Sequence, residues 1–311
     1  MRPVAIALTL APRSAYVRER GDRGGNPFVE KRSAVQREKS TMRKSLECRM
    51  LVRIAALAVA ALWLPSAHAK STECAKIGVC YCVNDELKDT IKARVEKFRA
   101  LIAEQRKAGK QIGYLSVPLT TTGGGHFDVN MEVAGAAKAA IEKRLGADFV
   151  YVLNPGTLEA DLPKGTGADY MLMWATLLEG QDGLGEFDFV AFAGPQDFAR
   201  YFGFDGNNDM AKLDAYFDRR LKSNAGFEKA VQAGTVTKAA FRRYYGLRAS
   251  ATVSRGAHDE WNIFRMINEK RRGDPKLGTG NQIPMFFDGR ATGPTEAEAP
   301  VSEGYVGKCP L

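Results

Sequence analysis

Apolar residues follow two alternating patterns along most of the chain. Segments with apolar positions three and four residues apart, the spacing of a helix face, lie at 84–109, 128–145, 168–180 and 257–272. Short apolar runs without strict polar alternation lie between or after them, at 111–120, 148–155, 187–195, 248–253 and 282–289. Runs of this kind are typical of strands that are buried on both faces of a parallel sheet. The pattern therefore predicts an α/β fold with a doubly wound parallel sheet of about five strands.

Residues 196–247 interrupt this alternation. They are rich in aromatic and charged residues and contain no strand-like run, so we predict a helical insertion of two or three helices. The insertion divides the α/β domain into a first part, 111–195, and a second part, 248–289. Residues 70–110 form a segment with cysteines and a helix, and the tail, 290–311, is rich in Pro, Gly and Glu and is expected to be irregular.

The first 69 residues have the features of a leader. Arg53 supplies positive charge, and the apolar run 54–64 is too short to span a bilayer. The tripeptide AHA at 67–69 has the small-x-small pattern that is typical of signal-peptide cleavage. We therefore predict a secretory signal peptide, preceded at 1–41 by either a mis-assigned upstream start or a disordered extension. We also predict a periplasmic or secreted protein with no stable membrane insertion.

The leader also carries most of the net positive charge. It holds 13 of the 45 Lys and Arg residues and 5 of the 36 Asp and Glu residues, which leaves 32 and 31 in the rest of the chain. A chain that is nearly neutral lacks the basic excess that favours nucleic-acid binding. We therefore expect no nucleic-acid partner.

Four cysteines remain after the leader, and they are Cys74, Cys80, Cys82 and Cys309. In an oxidising compartment an even number favours two disulfides, for which the sequence allows three pairings. Because a Cys80–Cys82 bond would close a small, strained ring, we expect at least one disulfide to join the tail to the N-terminal segment. The alternative is a metal site, but no histidine lies near these cysteines and the spacing is not CxxC, so we predict no metal.

Candidate ligand contacts lie near the ends of the predicted strands, because ligands bind outside the carboxyl ends of parallel strands. These residues lie at strand ends or in the loops that follow, and they are Ser116, Pro118, His126, Asn154, Ser254 and Gly256. Glu260 comes next, in what we predict to be the first turn of a helix, where the helix dipole favours its ionised form. An ionised carboxylate held against a sugar is the group that nucleophilic attack at an anomeric carbon requires.

Several short motifs recur in an order that resembles a known family. They are YLSVPL at 114–119, Asn130 at the start of the next helix, VLNP at 152–155, an acidic residue before the third strand, and S-x-G-A-x-x-E at 254–260. In this order they resemble the nucleoside 2-deoxyribosyltransferase-like superfamily, whose members are flavodoxin-like enzymes that cleave or exchange the N-glycosidic bond of nucleosides or nucleotides. The resemblance covers roughly 111–195 and 248–289.

The resemblance implies a role for several of these residues. Glu260 corresponds to the family's nucleophile, and Tyr114 and Pro118 correspond to residues that line the sugar site. The family's aspartate before the third strand, which handles the leaving base, matches Asp182 best, whereas Asp188 is expected to be structural. The chain departs from the family in the helical insertion, in its predicted export and in a first strand end that lacks the usual glycine.

We therefore expect an exported enzyme that cleaves or transfers the glycosyl group of a nucleoside- or nucleotide-like small molecule, without a metal or organic cofactor. NAD is included because it contains the same type of bond. The alternative is a non-catalytic ligand-binding or structural protein that retains the fold, in which Glu260 only stabilises a helix start. His258 and Asp259 are expected to be solvated polar residues, and a homo-oligomer is left open.

Overall fold

A computed structural model describes residues 69–119, 121, 123–157, 160–247, 249–277 and 280–310. The predicted signal peptide and the extension before it lie outside these residues, apart from Ala69. No helix within the described ranges is long and apolar enough to cross a membrane.

The described residues form strands and helices in an alternating order. The strands are β1 (Lys70–Cys74), β2 (Cys80–Asn84), β3 (Gln111–Ser116), β4 (Val150–Leu153), β5 (Phe189–Phe192), β6 (Met285–Phe287) and β7 (Arg290–Ala291). The helices are α1 (Lys88–Lys107), α2 (Phe127–Leu145), α3 (Gly167–Leu178), α4 (Pro195–Phe202), α5 (Asp209–Ser223), α6 (Ala225–Gln232), α7 (Lys238–Leu247), α8 (Arg255–Gly273) and α9 (Pro294–Glu298).

The main sheet has five strands in the order β4-β3-β5-β6-β7. The first four strands are parallel, and only β7 runs antiparallel to its neighbour β6. The α/β class and the mostly parallel five-stranded sheet that the sequence predicts are therefore confirmed. The chain leaves β3 to form β4 on one side and then returns to form β5 on the other side. The carboxyl end of β3 thus lies at the point where the strand order reverses, which is where ligands bind in open α/β sheets.

The predicted fourth strand, 248–253, is wrong. Its described part contains a single 3₁₀ turn, Ala251–Val253, which attaches to the sheet only through the Ala251 N–H, a donor to the Ala193 carbonyl at 2.8 Å. The Ser250 hydroxyl accepts the Thr252 N–H at 3.1 Å, and such a local bond competes with the ladder of a strand. The next apolar run, 282–289, instead contributes the fourth parallel strand, and the fifth position is taken by β7.

The two faces of the sheet are buried by different parts of the chain. Because side chains alternate along a strand, Ile112 and Tyr114 of β3 belong to a core with α1, α3 and α8, while Leu115 belongs to a core on the other face. This second core contains α2 and the predicted insertion, which forms four helices rather than two or three. Aromatic residues of the insertion, among them Phe217 and Phe241, are buried in that core, and others pack against it half-buried.

Two disulfides fix the N-terminal hairpin and the tail. Cys74–Cys80 closes the antiparallel β1–β2 hairpin, and Cys82–Cys309 joins β2 to a residue 227 positions later. The expected bond between the tail and the N-terminal segment is therefore present. The tail is not wholly irregular as predicted, because it contains β7 and the short helix α9.

Candidate functional site

Glu260 is buried next to the carboxyl end of β3, with only 5% of its surface exposed. One of its carboxylate oxygens accepts the Tyr114 hydroxyl at 2.5 Å, and the other accepts the Ser116 hydroxyl at 2.5 Å. Tyr114 and Ser116 can both reach Glu260 because residues two apart on a strand point to the same face. The structure therefore brings together three of the residues that the sequence singles out.

The start of α8 determines where Glu260 lies. The Ser254 hydroxyl accepts the Ala257 N–H at 3.3 Å and caps the helix. Farther along the helix, Ile263 and Phe264 are fully buried in the core that also contains Tyr114. Since α8 begins at Arg255, Glu260 lies in the second turn rather than the first, beyond the turn in which the helix dipole acts most strongly.

The environment of Glu260 favours its neutral form more than the sequence predicts. Burial raises the pKa of Glu260 to about 7, while the Ser116 and Tyr114 hydroxyls lower it and the charge of Asp259 raises it further. The expectation that the helix dipole favours the ionised form of Glu260 is therefore not supported, because burial raises its pKa instead.

A cavity of about 290 Å³ opens in front of Glu260. Its walls are largely apolar and include Val117, Leu119, Phe127, Met131, Pro155 and Met171. Ser254 and Gly256, which the sequence predicts as ligand contacts, also line it. Tyr170 and Tyr305 add two aromatic rings with polar hydroxyls. The size and lining suit a small ligand with an apolar, ring-containing part.

Asp161 is the second carboxylate among the described residues that line the cavity. It is exposed, and it accepts the Tyr170 hydroxyl at 3.2 Å. Asp161 was not predicted from the sequence because it lies in a loop without a helical or strand pattern. The available signal was that this loop follows the carboxyl end of β4, the edge at which ligands bind.

No family model matches the chain, and no match is found among curated proteins or solved structures. Within the described part of the chain, no group of three or more His, Cys, Asp or Glu side chains is placed to hold a metal ion. The interpretation of the site therefore depends on the geometry around Glu260 and on the properties of the cavity.

Asp182 does not lie at this site. It is exposed in the loop before β5, where its side chain accepts the Leu184 N–H at 2.9 Å and its carbonyl accepts the Lys270 ammonium at 2.6 Å. Lys270 lies ten residues beyond Glu260 on α8, about 15 Å along the helix axis. The assignment of Asp182 to the leaving base is therefore not supported by its position, because the amino end of β5 faces away from the cavity.

Three other residues that the sequence predicts as ligand contacts are not among those that line the cavity. The His126 ring packs against Phe227 of the second core, with ring centroids 4.9 Å apart, and burial lowers the pKa of His126. The Asn154 side chain accepts the Gly156 N–H at 2.8 Å and thereby shapes the turn after β4. Pro118 is buried and is not among the residues that line the cavity.

Asp259 is buried rather than solvated, contrary to the sequence-based expectation, and His258 is half-buried. The His258 ring lies between the Thr252 carbonyl at 2.8 Å and the Ser302 hydroxyl at 2.9 Å. Asp259 is 1% exposed, and its carboxylate accepts backbone N–H groups of the tail. Both residues therefore contact the C-terminal tail.

The raised pKa of Glu260 should make the stability of the protein depend on pH. With the pKa raised from 4.5 to about 7, the folded state keeps a proton that the unfolded state loses, so this contribution is full below pH 4.5 and is lost as the pH rises through 7. Glu260→Gln removes the titration. We expect the free energy of unfolding of the variant to gain up to about 3 kcal/mol relative to wild type between pH 4.5 and pH 8.

Urea unfolding of both proteins across this pH range measures the difference. The matched control is Tyr114→Phe, which removes a hydroxyl that contacts Glu260 but keeps the Glu260 carboxyl, so its free energy of unfolding should still fall as the pH rises. Parallel profiles for wild type and Glu260→Gln would contradict a raised pKa.

Proposed function

We propose that the protein is an exported, flavodoxin-like enzyme that cleaves or transfers the N-glycosidic bond of a nucleoside-like small molecule, with Glu260 as the nucleophile. The observation that carries the proposal is the buried Glu260 carboxylate, which is held by two hydroxyl donors and opens into a cavity at the carboxyl edge of the sheet. The parallel strand order with one reversal supports the fold assignment. The leader pattern and the two disulfides support export.

In the first step, the ionised Glu260 carboxylate attacks C1′ of the sugar. The bond from C1′ to the base nitrogen breaks, its electron pair stays on the nitrogen, and a carboxylic acid at Asp161 supplies the proton that completes the free base. The product is a glycosyl ester on Glu260. In the second step, water or an acceptor base attacks C1′, gives its proton to Asp161 and releases Glu260 as a carboxylate.

Tyr114 and Ser116 orient the nucleophile and adjust its basicity. Their hydroxyls hold the two carboxylate oxygens on a fixed strand, so little motion is needed before attack. A pKa of about 7 leaves a substantial ionised fraction at neutral pH. For a pyridinium base, which leaves without gaining a proton, we therefore expect the rate of release to rise with pH up to about 7 and then to level off.

One observation favours the alternative of a non-catalytic ligand-binding protein. Only 5% of Glu260 is exposed, so the carboxylate can contact a ligand only at the bottom of the cavity. A binding protein could use the same group as a hydrogen-bond partner for a ligand hydroxyl, without a covalent step.

A base-release assay separates the two functions. Wild type, Glu260→Gln and the matched control Asp182→Asn are incubated with a panel of ribonucleosides, 2′-deoxyribonucleosides, their 5′-monophosphates and NAD, and free base is quantified. We expect release by wild type and Asp182→Asn and none above background by Glu260→Gln. Binding of a panel member without release by wild type would support the binding protein and contradict the proposed enzyme.

A further inference from the structure

Residues 299–309, which we call the C-terminal strap, lie across the first half of α8. The strap begins where the Trp261 indole N–H donates to the Ala299 carbonyl at 3.0 Å. The Asn262 side chain then bonds the Val301 backbone twice, donating to its carbonyl at 3.0 Å and accepting its N–H at 3.1 Å. Such paired bonds fix the direction of the strap as well as its position.

The second half of the strap is attached to the N-terminal hairpin. The Gly307 N–H donates to the Cys80 carbonyl at 2.8 Å, and the Cys309 N–H donates to the Thr72 hydroxyl at 2.9 Å. The Cys82–Cys309 disulfide adds a covalent bond at the same place. The strap is therefore held at both of its ends.

Asp259 holds the middle of the strap. Its carboxylate accepts the Gly304 N–H at 2.6 Å and the Tyr305 N–H at 2.7 Å. Burial raises the pKa of Asp259, and these two backbone bonds oppose that shift. Burying a carboxylate is unfavourable unless it is paired or hydrogen-bonded, and both of its oxygens here bind the strap.

The strap places Tyr305 in the wall of the cavity. Close packing on both sides leaves Tyr305 little freedom. A Cβ at Gly167 would overlap its ring, and a Cβ at Gly304 would overlap the Arg255 carbonyl oxygen. The Arg255 guanidinium lies over the ring at 4.3 Å from its centroid, and it also donates to the Gly304 carbonyl. Glycine at 167 and 304 therefore leaves the space that Tyr305 needs in this position.

We propose that the C-terminal strap completes the ligand site, with Tyr305 as a residue that contacts the ring-containing part of the ligand. Asp259 and the Cys82–Cys309 disulfide act as positioning groups that hold Tyr305 in the cavity wall. The inference rests on the proposed function, because it names a specificity element of the same site. It also implies that ligand affinity falls when the Cys82–Cys309 disulfide is reduced.

The experiment compares KM and kcat for the nucleoside that wild type cleaves best in the base-release panel. For Tyr305→Ala we expect KM to rise about three- to tenfold, the size expected for loss of one aromatic contact, with a smaller change in kcat. Tyr305→Phe keeps the ring and should restore a KM near that of wild type. An unchanged KM for Tyr305→Ala would overturn the inference and leave the proposed function intact.

The positioning groups are tested with Cys309→Ser and Asp259→Asn. Both should raise KM in the same direction and increase deuterium uptake in peptides from 299–309, measured without ligand. The matched control is the double variant Cys74→Ser/Cys80→Ser, which removes the disulfide that has no covalent bond to the strap and keeps the Cys80 carbonyl that accepts the Gly307 N–H, so both measurements should change much less than in Cys309→Ser. Equal uptake and KM in wild type and Cys309→Ser would overturn the role of the disulfide, so the inference stays testable even if Asp259→Asn does not fold.

Failure of the proposed function gives a different result. If wild type releases no base from any substrate, the enzymatic proposal is overturned, and the assignment of Tyr305 to its substrate is overturned with it.

Discussion

Glu260→Gln is expected to lower the rate of base release by at least about 10³-fold while the protein stays folded. The amide has nearly the shape of the carboxyl group: its oxygen can accept one of the Tyr114 and Ser116 hydroxyls, its NH₂ group can donate to the other hydroxyl oxygen, and the core around them stays filled. An amide oxygen is a poor nucleophile toward C1′, and the glycosyl ester cannot form. Affinity for the substrate should change much less than the rate, because the cavity walls are untouched.

Steady-state rates and equilibrium binding, measured on the same protein preparations, separate these two effects. Asp182→Asn is the control for a neutralised carboxylate, since that residue is exposed and lies outside the cavity. Equal turnover by wild type and Glu260→Gln would exclude Glu260 as the nucleophile.

The second large effect is expected for Asp161→Asn. If Asp161 gives a proton to the departing base, its replacement should slow release of purine or pyrimidine bases by about 10²- to 10⁴-fold. A pyridinium base carries a positive charge in the substrate and leaves as a neutral molecule without gaining a proton. The rate with a pyridinium nucleoside should therefore be nearly the same in Asp161→Asn and wild type.

For each kind of leaving group, the rate of Asp161→Asn is divided by the rate of wild type. A ratio that is much lower for purine or pyrimidine bases than for a pyridinium base identifies Asp161 as the proton donor. Tyr170→Phe serves as a companion variant, because it removes the hydroxyl that donates to Asp161 and leaves the carboxylate in place. An equal loss of rate for both kinds of leaving group would show that Asp161 is not the proton donor.

Much of the fold could be predicted from the sequence because two patterns determine it. The helical spacing at 84–109 and 257–272 corresponds to α1 and α8, and the short apolar runs correspond to the four parallel strands. The 248–253 segment was not predictable in this way. Its apolar run resembles a strand, but the Ser250 hydroxyl accepts the Thr252 N–H, and this local hydrogen bond competes with the ladder of a strand.

The candidate site was predictable where a residue belongs to a regular element. Tyr114 and Ser116 share one face of β3, and Glu260 follows a helix start that a serine caps. Asp182 was a poor choice for a physical reason that the sequence contains: a residue before a parallel strand lies at its amino end, opposite the ligand edge. Asp161 lies in an irregular loop and has no comparable signal.

The contacts of the tail could not be predicted from local patterns. The sequence gives no indication that Asp259 is buried, because its donors, the Gly304 and Tyr305 N–H groups, lie more than forty residues away. The cysteine count predicted that the tail is tied to the N-terminal segment, but not that the connecting residues cross α8 and line the cavity.

Covalent labelling of Glu260 tests the central claim most directly. A 2′-fluoro nucleoside is suitable because the fluorine slows breakdown of the glycosyl ester, so that the intermediate accumulates after base release. Wild type is incubated with this nucleoside, digested and mapped by mass spectrometry, alongside Glu260→Gln. We predict the mass of the fluorinated sugar on the wild-type peptide at Glu260, release of one base per protein, and no label in the variant. A sugar bound to another residue, or base release that continues without any labelled protein, would contradict the assignment of Glu260 as the nucleophile.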